Sequence, residues 1–162
     1  MTMRRREIIA GARKAFFAAM LFGYAGNGTV RKVGPTSITR YLDDDWEVVN
    51  RWTTNSETGF TVGTTMIYYK NQPVWFMYYS GHYPDEVIPL LKRVLVANYR
   101  RNRFYGGRGP TYLYFSKEGY IYRNCPDGNK DHFEVFTGLE TIAKRDTGTM
   151  VGYHRYQGNL MI

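Results

Sequence analysis

The residues in this sequence best suited to binding or reacting are few, and most stand in aromatic company. Trp52, Trp75, Met77 and Tyr79 offer wide apolar surfaces, while Arg108 and Glu140 supply charges able to orient a guest. Ligand cavities are lined in this way, mainly by apolar and aromatic groups with a few placed polar ones. His82, directly after Gly81, joins the set as a candidate base. In a catalytic version of the same cavity, Glu140, His82 and Arg108 would serve as acid, base and anion clamp. The competing reading is that the aromatic side chains only fill a core.

A second group is cationic. Lys92, Arg93, Arg100, Arg101 and Arg103 occur with no acid among them, interleaved with Tyr99, Phe104 and Tyr105. Arginine beside aromatic rings can grip phosphates and stack bases, which makes this stretch a candidate nucleic-acid surface. The Gly-Gly-Arg-Gly-Pro run at 106–110 is not a phosphate-cradling Walker loop, since it follows a helical pattern rather than opening one. A solvated helix face with a tight exit turn is the plainer account.

Other motifs resolve into structure. Asp43-Asp44-Asp45 suggests a cation site, but neighbours on a strand point in opposite directions, so a hairpin turn is expected. His82, His132 and His154 share no metal-ligand spacing, and neither a metal nor another cofactor is expected. Cys125 sits in a turn with Asn124 and Pro126-Asp127-Gly128, without a nearby histidine to activate it. Ser80 lacks the elbow a serine nucleophile needs.

These side chains must be positioned by elements the pattern also foretells. Phe60 to Tyr83 holds two β-branched and aromatic runs flanking Lys70-Asn71-Gln72-Pro73, a hairpin signal. Both of its runs are apolar on both faces, so this hairpin is expected mid-sheet and covered on each side. Ile8, Ile9, Ala12, Ala15, Phe16, Ala19 and Met20 recur at helical spacing after Arg4-Arg5-Arg6, up to Gly23. Residues 23–35 read as a loop, 36–42 and 46–52 as strands, and 55–59 as a turn. A second helix is expected from about Pro89, with Val87, Leu91, Val94, Leu95 and Asn98 in one stripe beside Leu90 and Ala97, ending before Gly106. Strands follow at 111–115, 119–124, 132–136, 139–144 and 150–156, with a break at Gly138. The fold class is α+β: a curved, mostly antiparallel sheet of about eight or nine strands under an N-terminal and a central helix.

At 162 residues, 43% apolar and 22% charged, the chain reads as one globular domain, 1–162. Fifteen tyrosines among its 17% aromatic residues suit partner surfaces and half-exposed sheet faces alike. The net charge of +8 admits anionic partners. One cysteine precludes an internal disulfide and fits the reducing cytoplasm. Arg13 and Lys14 interrupt the apolar run that a leader or a membrane span would need, so neither is expected.

One order of short motifs resembles a known family. It runs Pro73-Val-Trp-Phe-Met-Tyr-Tyr-Ser-Gly81, a helix, Arg108-Gly-Pro110, Phe136-Thr-Gly-Leu-Glu-Thr-Ile142 and Tyr153-His-Arg-Tyr-Gln-Gly158. Together these are similar to a bacterial and archaeal family of domains of unknown function, found alone or behind a repressor-type helix-turn-helix head. The likeness runs from about Ala15 to Gly158. Tyr78 stands where an Asn is usual, and Asn159 where a second terminal glycine is usual. The resemblance carries no activity and no site residues with it. The function expected is a binding or sensing module for a small molecule or protein partner. The alternatives are an enzyme in the same cavity and electrostatic nucleic-acid binding.

Overall fold

The computed structural model describes residues 3–23, 25–26, 28–127 and 132–162. Tyr24 of the expected 23–35 loop, and Gly128 of the turn after Cys125, lie outside them. Helix α1 (Met3–Phe22) buries Ala12, Ala15, Phe16, Phe17, Ala19 and Met20, the face that three- and four-residue spacing selects. It stops where the Gly23 amide donates to the Ala19 carbonyl at 2.8 Å. Five strands follow: β1 (Arg31–Val33), β2 (Thr36–Asp43), β3 (Trp46–Thr54), β4 (Phe60–Tyr69) and β5 (Gln72–His82). β1 falls inside the stretch expected to be loop. It is an exposed edge strand with no buried face, so it leaves no alternation in the sequence to read.

After one 3₁₀ turn (Asp85–Val87), helix α2 runs Ile88–Tyr99 with Pro89 in its first turn, where the missing amide donor is not needed. It buries Leu90, Leu91, Val94, Leu95, Asn98 and Tyr99, and leaves Ala97 exposed. The helix ends earlier than the sequence suggests. Asn102 turns into the left-handed region (φ 51°), so Arg100, Arg101 and Arg103 belong to a loop and not to a helical face. The last strands are β6 (Tyr114–Phe115), β7 (Tyr120–Pro126), β8 (Val135–Lys144) and β9 (Met150–Leu160). β8 is continuous through Gly138, where a break was expected.

All nine strands form one open antiparallel sheet in the order β1-β2-β3-β4-β5-β9-β8-β7-β6. Two meanders therefore meet at the β5–β9 pair, with α2 carrying the chain from the sheet's centre to its far edge. The central hairpin stands where expected, but it is covered on one face alone. Val74, Trp75, Met77 and Tyr79 are buried on the inner face, whereas Phe76, Tyr78 and Ser80 are half-buried. Aromatic rings on the outer face shield themselves and their neighbours without a second layer, which is why that face also looked apolar in sequence. Phe16 anchors the inner core, with Trp75, Tyr99, Phe104 and Phe133 packed around it.

Candidate functional site

Strand register explains how residues far apart in sequence reach one place. Pairings run Trp52 to Gly63, Gly63 to Tyr79, Tyr79 to Tyr156 and Tyr156 to Gly138, one row across the inner face. In this row each of the two tyrosines faces a glycine, for a steric reason. A Cβ on Gly63 would meet the Tyr79 ring at 2.2 Å, and one on Gly138 would meet the Tyr156 hydroxyl at 2.3 Å. Each ring lies over its neighbouring glycine, so Gly138 accommodates a ring and does not break the strand. The next row runs Thr61, Gly81, His154, Glu140 and Asn124, and is almost wholly polar.

The charged centre of that row is the ion pair between Arg108 and Glu140, 6% and 0% exposed. Arg108 donates to Glu140 Oε1 through both Nε and Nη2. Tyr83 donates to the same oxygen at 3.1 Å, and Tyr122 donates to Oε2 at 2.6 Å. Burial alone would raise the Glu140 pKa, but the Arg108 charge and its hydrogen bonds hold it below the ordinary carboxylate value. Burial, and then the Glu140 charge, push the Tyr83 and Tyr122 hydroxyls well above the ordinary tyrosine value, so they stay neutral donors. Arg108 Nη2 also reaches His154 Nδ1 at 3.2 Å. Burial first, and the neighbouring guanidinium second, pull the His154 pKa down to about 3, so its ring is neutral.

The loop that delivers Arg108 is tied from within. Asn98 donates through Nδ2 to the Arg103 and Arg108 carbonyls at 2.9 and 2.7 Å, and the Tyr99 hydroxyl donates to Gly107 O at 2.7 Å. Gly106 and Gly107 hold φ of 64° and 68°, a backbone that side-chain-bearing residues rarely adopt. Asn124 Nδ2 fastens the other side, donating to the Tyr105 and Gly109 carbonyls.

Beside this centre lies a cavity of about 320 Å³ between the sheet and both helices, at the small end of the range for ligand sites. Met20 of α1, Ile88, Leu91 and Leu95 of α2, and Met77 of β5 form its apolar walls. Asn50, Thr65, Tyr79, Arg108 and His154 form its polar end, and Asp85 stands exposed at its opening.

Of the residues singled out from sequence, Trp52, Met77, Tyr79 and Arg108 line this cavity. Trp75 does not: it is sealed in the core, stacked at 5.0 Å on Phe133 and 5.5 Å on Phe136, with its indole N–H donating to Phe133 O at 2.8 Å. Glu140 stands behind Arg108 rather than in the wall. His82 is half-buried against Gly59, with its Nδ1 buried and unpartnered among the described residues. The site residues that sequence reading missed are His154, noticed only as a possible metal ligand, and Asn50, which no motif marks.

The cationic group is dispersed. Arg93 is bound to both carboxylate oxygens of Glu118 at 3.0 Å, while Arg100, Arg101 and Arg103 lie exposed in the loop. Tyr99 and Phe104, which would have stacked bases, are buried in the core. Among the described residues, no His, Cys, Asp and Glu cluster suits a metal ion, and no helix is long and apolar enough to cross a membrane.

No curated protein and no solved structure matches the chain. A family model described as a domain of unknown function, DUF5680, matches residues 56–161, from the β3–β4 turn to just past the end of β9. That stretch holds Gly63, Tyr79, Tyr156 and Gly138 of the first row, all of the polar row, α2 and the Arg108 loop, and it covers well over half of the chain, which therefore belongs to the DUF5680 family.

Proposed function

We propose that this chain is a binding or sensing domain that takes a small molecule into the cavity between its helices and its sheet. The observation that carries the reading is the cavity's composition: apolar walls closed at one end by an ordered polar cluster. Mere packing defects are apolar throughout and have no need of a braced arginine. Binding is favoured over catalysis in the same cavity because Glu140, the candidate acid, already accepts four hydrogen bonds and is held ionised by Arg108. A sensing role also accords with the resemblance to domains carried behind helix-turn-helix heads. The free cysteine, Cys125, supports the further reading that the protein works in a reducing cytoplasm as a single domain.

A thermal-shift screen of small apolar and amphipathic compounds tests the reading. A true ligand at 100-fold its Kd adds about 2.7 kcal/mol, worth roughly 5–10 °C in a chain of this size. Ile88→Trp, which places an indole in the cavity, should fold and lose the shift. Equal shifts in wild type and Ile88→Trp would rule the cavity out as the binding site.

A further inference from the structure

The polar end of the cavity is built from donors. Nε and Nη2 of Arg108 are engaged by Glu140 and His154, which leaves Nη1 with two N–H groups. A guanidinium has no acceptor, so its contact with His154 makes Nδ1 the accepting nitrogen and puts the neutral ring's proton on Nε2. Asn50 Oδ1 accepts from the Thr65 hydroxyl at 3.0 Å and the Tyr79 hydroxyl at 3.1 Å, which fixes the amide and leaves Nδ2 with two more N–H groups. None of these three nitrogens has a hydrogen-bond partner among the described residues, yet none is sealed away from open space. Their residues are only 6%, 8% and 6% exposed for Arg108, His154 and Asn50, so what surface they keep is the cavity they line. Among the described residues, the one carboxylate that lines the cavity is the exposed Asp85, and Glu140 is engaged on the Nε–Nη2 edge of Arg108.

We propose that the cavity takes a small apolar monocarboxylate, its carboxylate set among Arg108 Nη1, His154 Nε2 and Asn50 Nδ2, and its hydrocarbon body against Leu91, Leu95 and Met77. The proposal rests on the reading of this cavity as a ligand site and adds the ligand's class. A carboxylate is acceptor-only, with about four lone-pair sites, so it can accept from all three nitrogens at once. A carboxamide brings two further donors to a set in which donors predominate, and an ammonium would face a guanidinium. Glu140 occupies the Nε–Nη2 edge of Arg108, so the Nη1 end stays available for a second, charge-assisted contact. The volume holds roughly ten waters at ~30 Å³ each, which suits a body of about that many non-hydrogen atoms.

The test is a calorimetric titration of the full chain with three probes of one skeleton: 3-phenylpropanoate, 3-phenylpropanamide and 3-phenylpropylamine. The carboxylate should bind at least about tenfold more tightly than the amide, the amine should not bind, and Ile88→Trp should abolish binding. The paired change Arg108→Gln with Glu140→Gln, which leaves no unpaired buried charge, should bring carboxylate and amide to equal affinity. If that variant does not fold, the wild-type ranking of the three probes decides alone. Amide or amine binding as tightly as the carboxylate, and lost in Ile88→Trp, would overturn the carboxylate class and leave the cavity reading standing. Binding by none of the three would overturn the proposal, and unchanged binding in Ile88→Trp would overturn the cavity reading with it.

Discussion

His154 shows how far a single side chain can be moved from its ordinary chemistry by position alone. Its ring is surrounded by Arg108, Glu140, Tyr79, Tyr83 and His82, and burial with the adjacent guanidinium keeps it neutral down to about pH 3. In the unfolded chain the same ring takes a proton near its ordinary pKa of 6.5. Between those values the unfolded state binds more protons, so this contribution is complete above pH 6.5 and is lost as pH falls toward 3. The slope approaches about 1.4 kcal/mol per pH unit in mid-window. Melting temperatures recorded from pH 7 to 5 should fall steadily in the wild type and less steeply in His154→Gln. Glu140, whose pKa is lowered from 4.5, adds its own loss only at lower pH. Equal slopes in the two proteins across pH 7 to 5 would show that the ring charges freely in the folded state. Little of this was legible from residues 153–155 alone, because it takes the β8–β9 register and the loop between α2 and β6 to bring Glu140 and Arg108 to the ring.

At the scale of elements, the chain divides into parts that local chemistry announces and parts that only tertiary packing decides. The β4–β5 hairpin is of the first kind: Lys70 and Asn71 turn at φ of 49° and 64°, and two β-branched and aromatic runs flank them. Gly138 is of the second kind. As sequence it reads as a break, yet its job is to leave room for the Tyr156 ring from the paired strand. Gly138→Ala should therefore cost about 1–3 kcal/mol through overpacking, measured by denaturant unfolding, and Tyr156→Phe in the same background should recover part of the loss. The tyrosine hydroxyl also donates to Asn124 Oδ1 at 2.6 Å, so recovery should be incomplete. The Arg108 loop depends on α2 in a comparable way. Asn98→Ala removes two donors to that loop's carbonyls, and should destabilise by about 1–3 kcal/mol while weakening ligand binding more than Ile8→Val on α1 does. A loss confined to stability would mean that the loop holds Arg108 in place unaided.

For the whole molecule, the +8 net charge leaves open how the protein meets nucleic acid. The sequence suggested a basic helix with bases stacking between its arginines, and the fold removes both halves of that picture. The helix ends at Tyr99, Arg93 is engaged by Glu118, and the rings of Tyr99 and Phe104 are turned into the core. Arg100, Arg101 and Arg103 remain exposed in a loop whose own ring, Tyr105, is half-buried. Contact with DNA or RNA then reduces to counterion release, with about 0.9 of a log unit in affinity per log unit of salt for each phosphate neutralised. Three such contacts give a slope no steeper than about −3, so fluorescence anisotropy with a labelled oligonucleotide should detect weak binding near 20 mM salt and none near 200 mM. Changing all three arginines to serine should abolish that retention and leave the melting temperature within a degree or two, since exposed cations contribute little to stability. Retention that persists at high salt, or that distinguishes one base sequence from another, would require a recognition surface elsewhere and would move the function from the cavity to the protein's exterior.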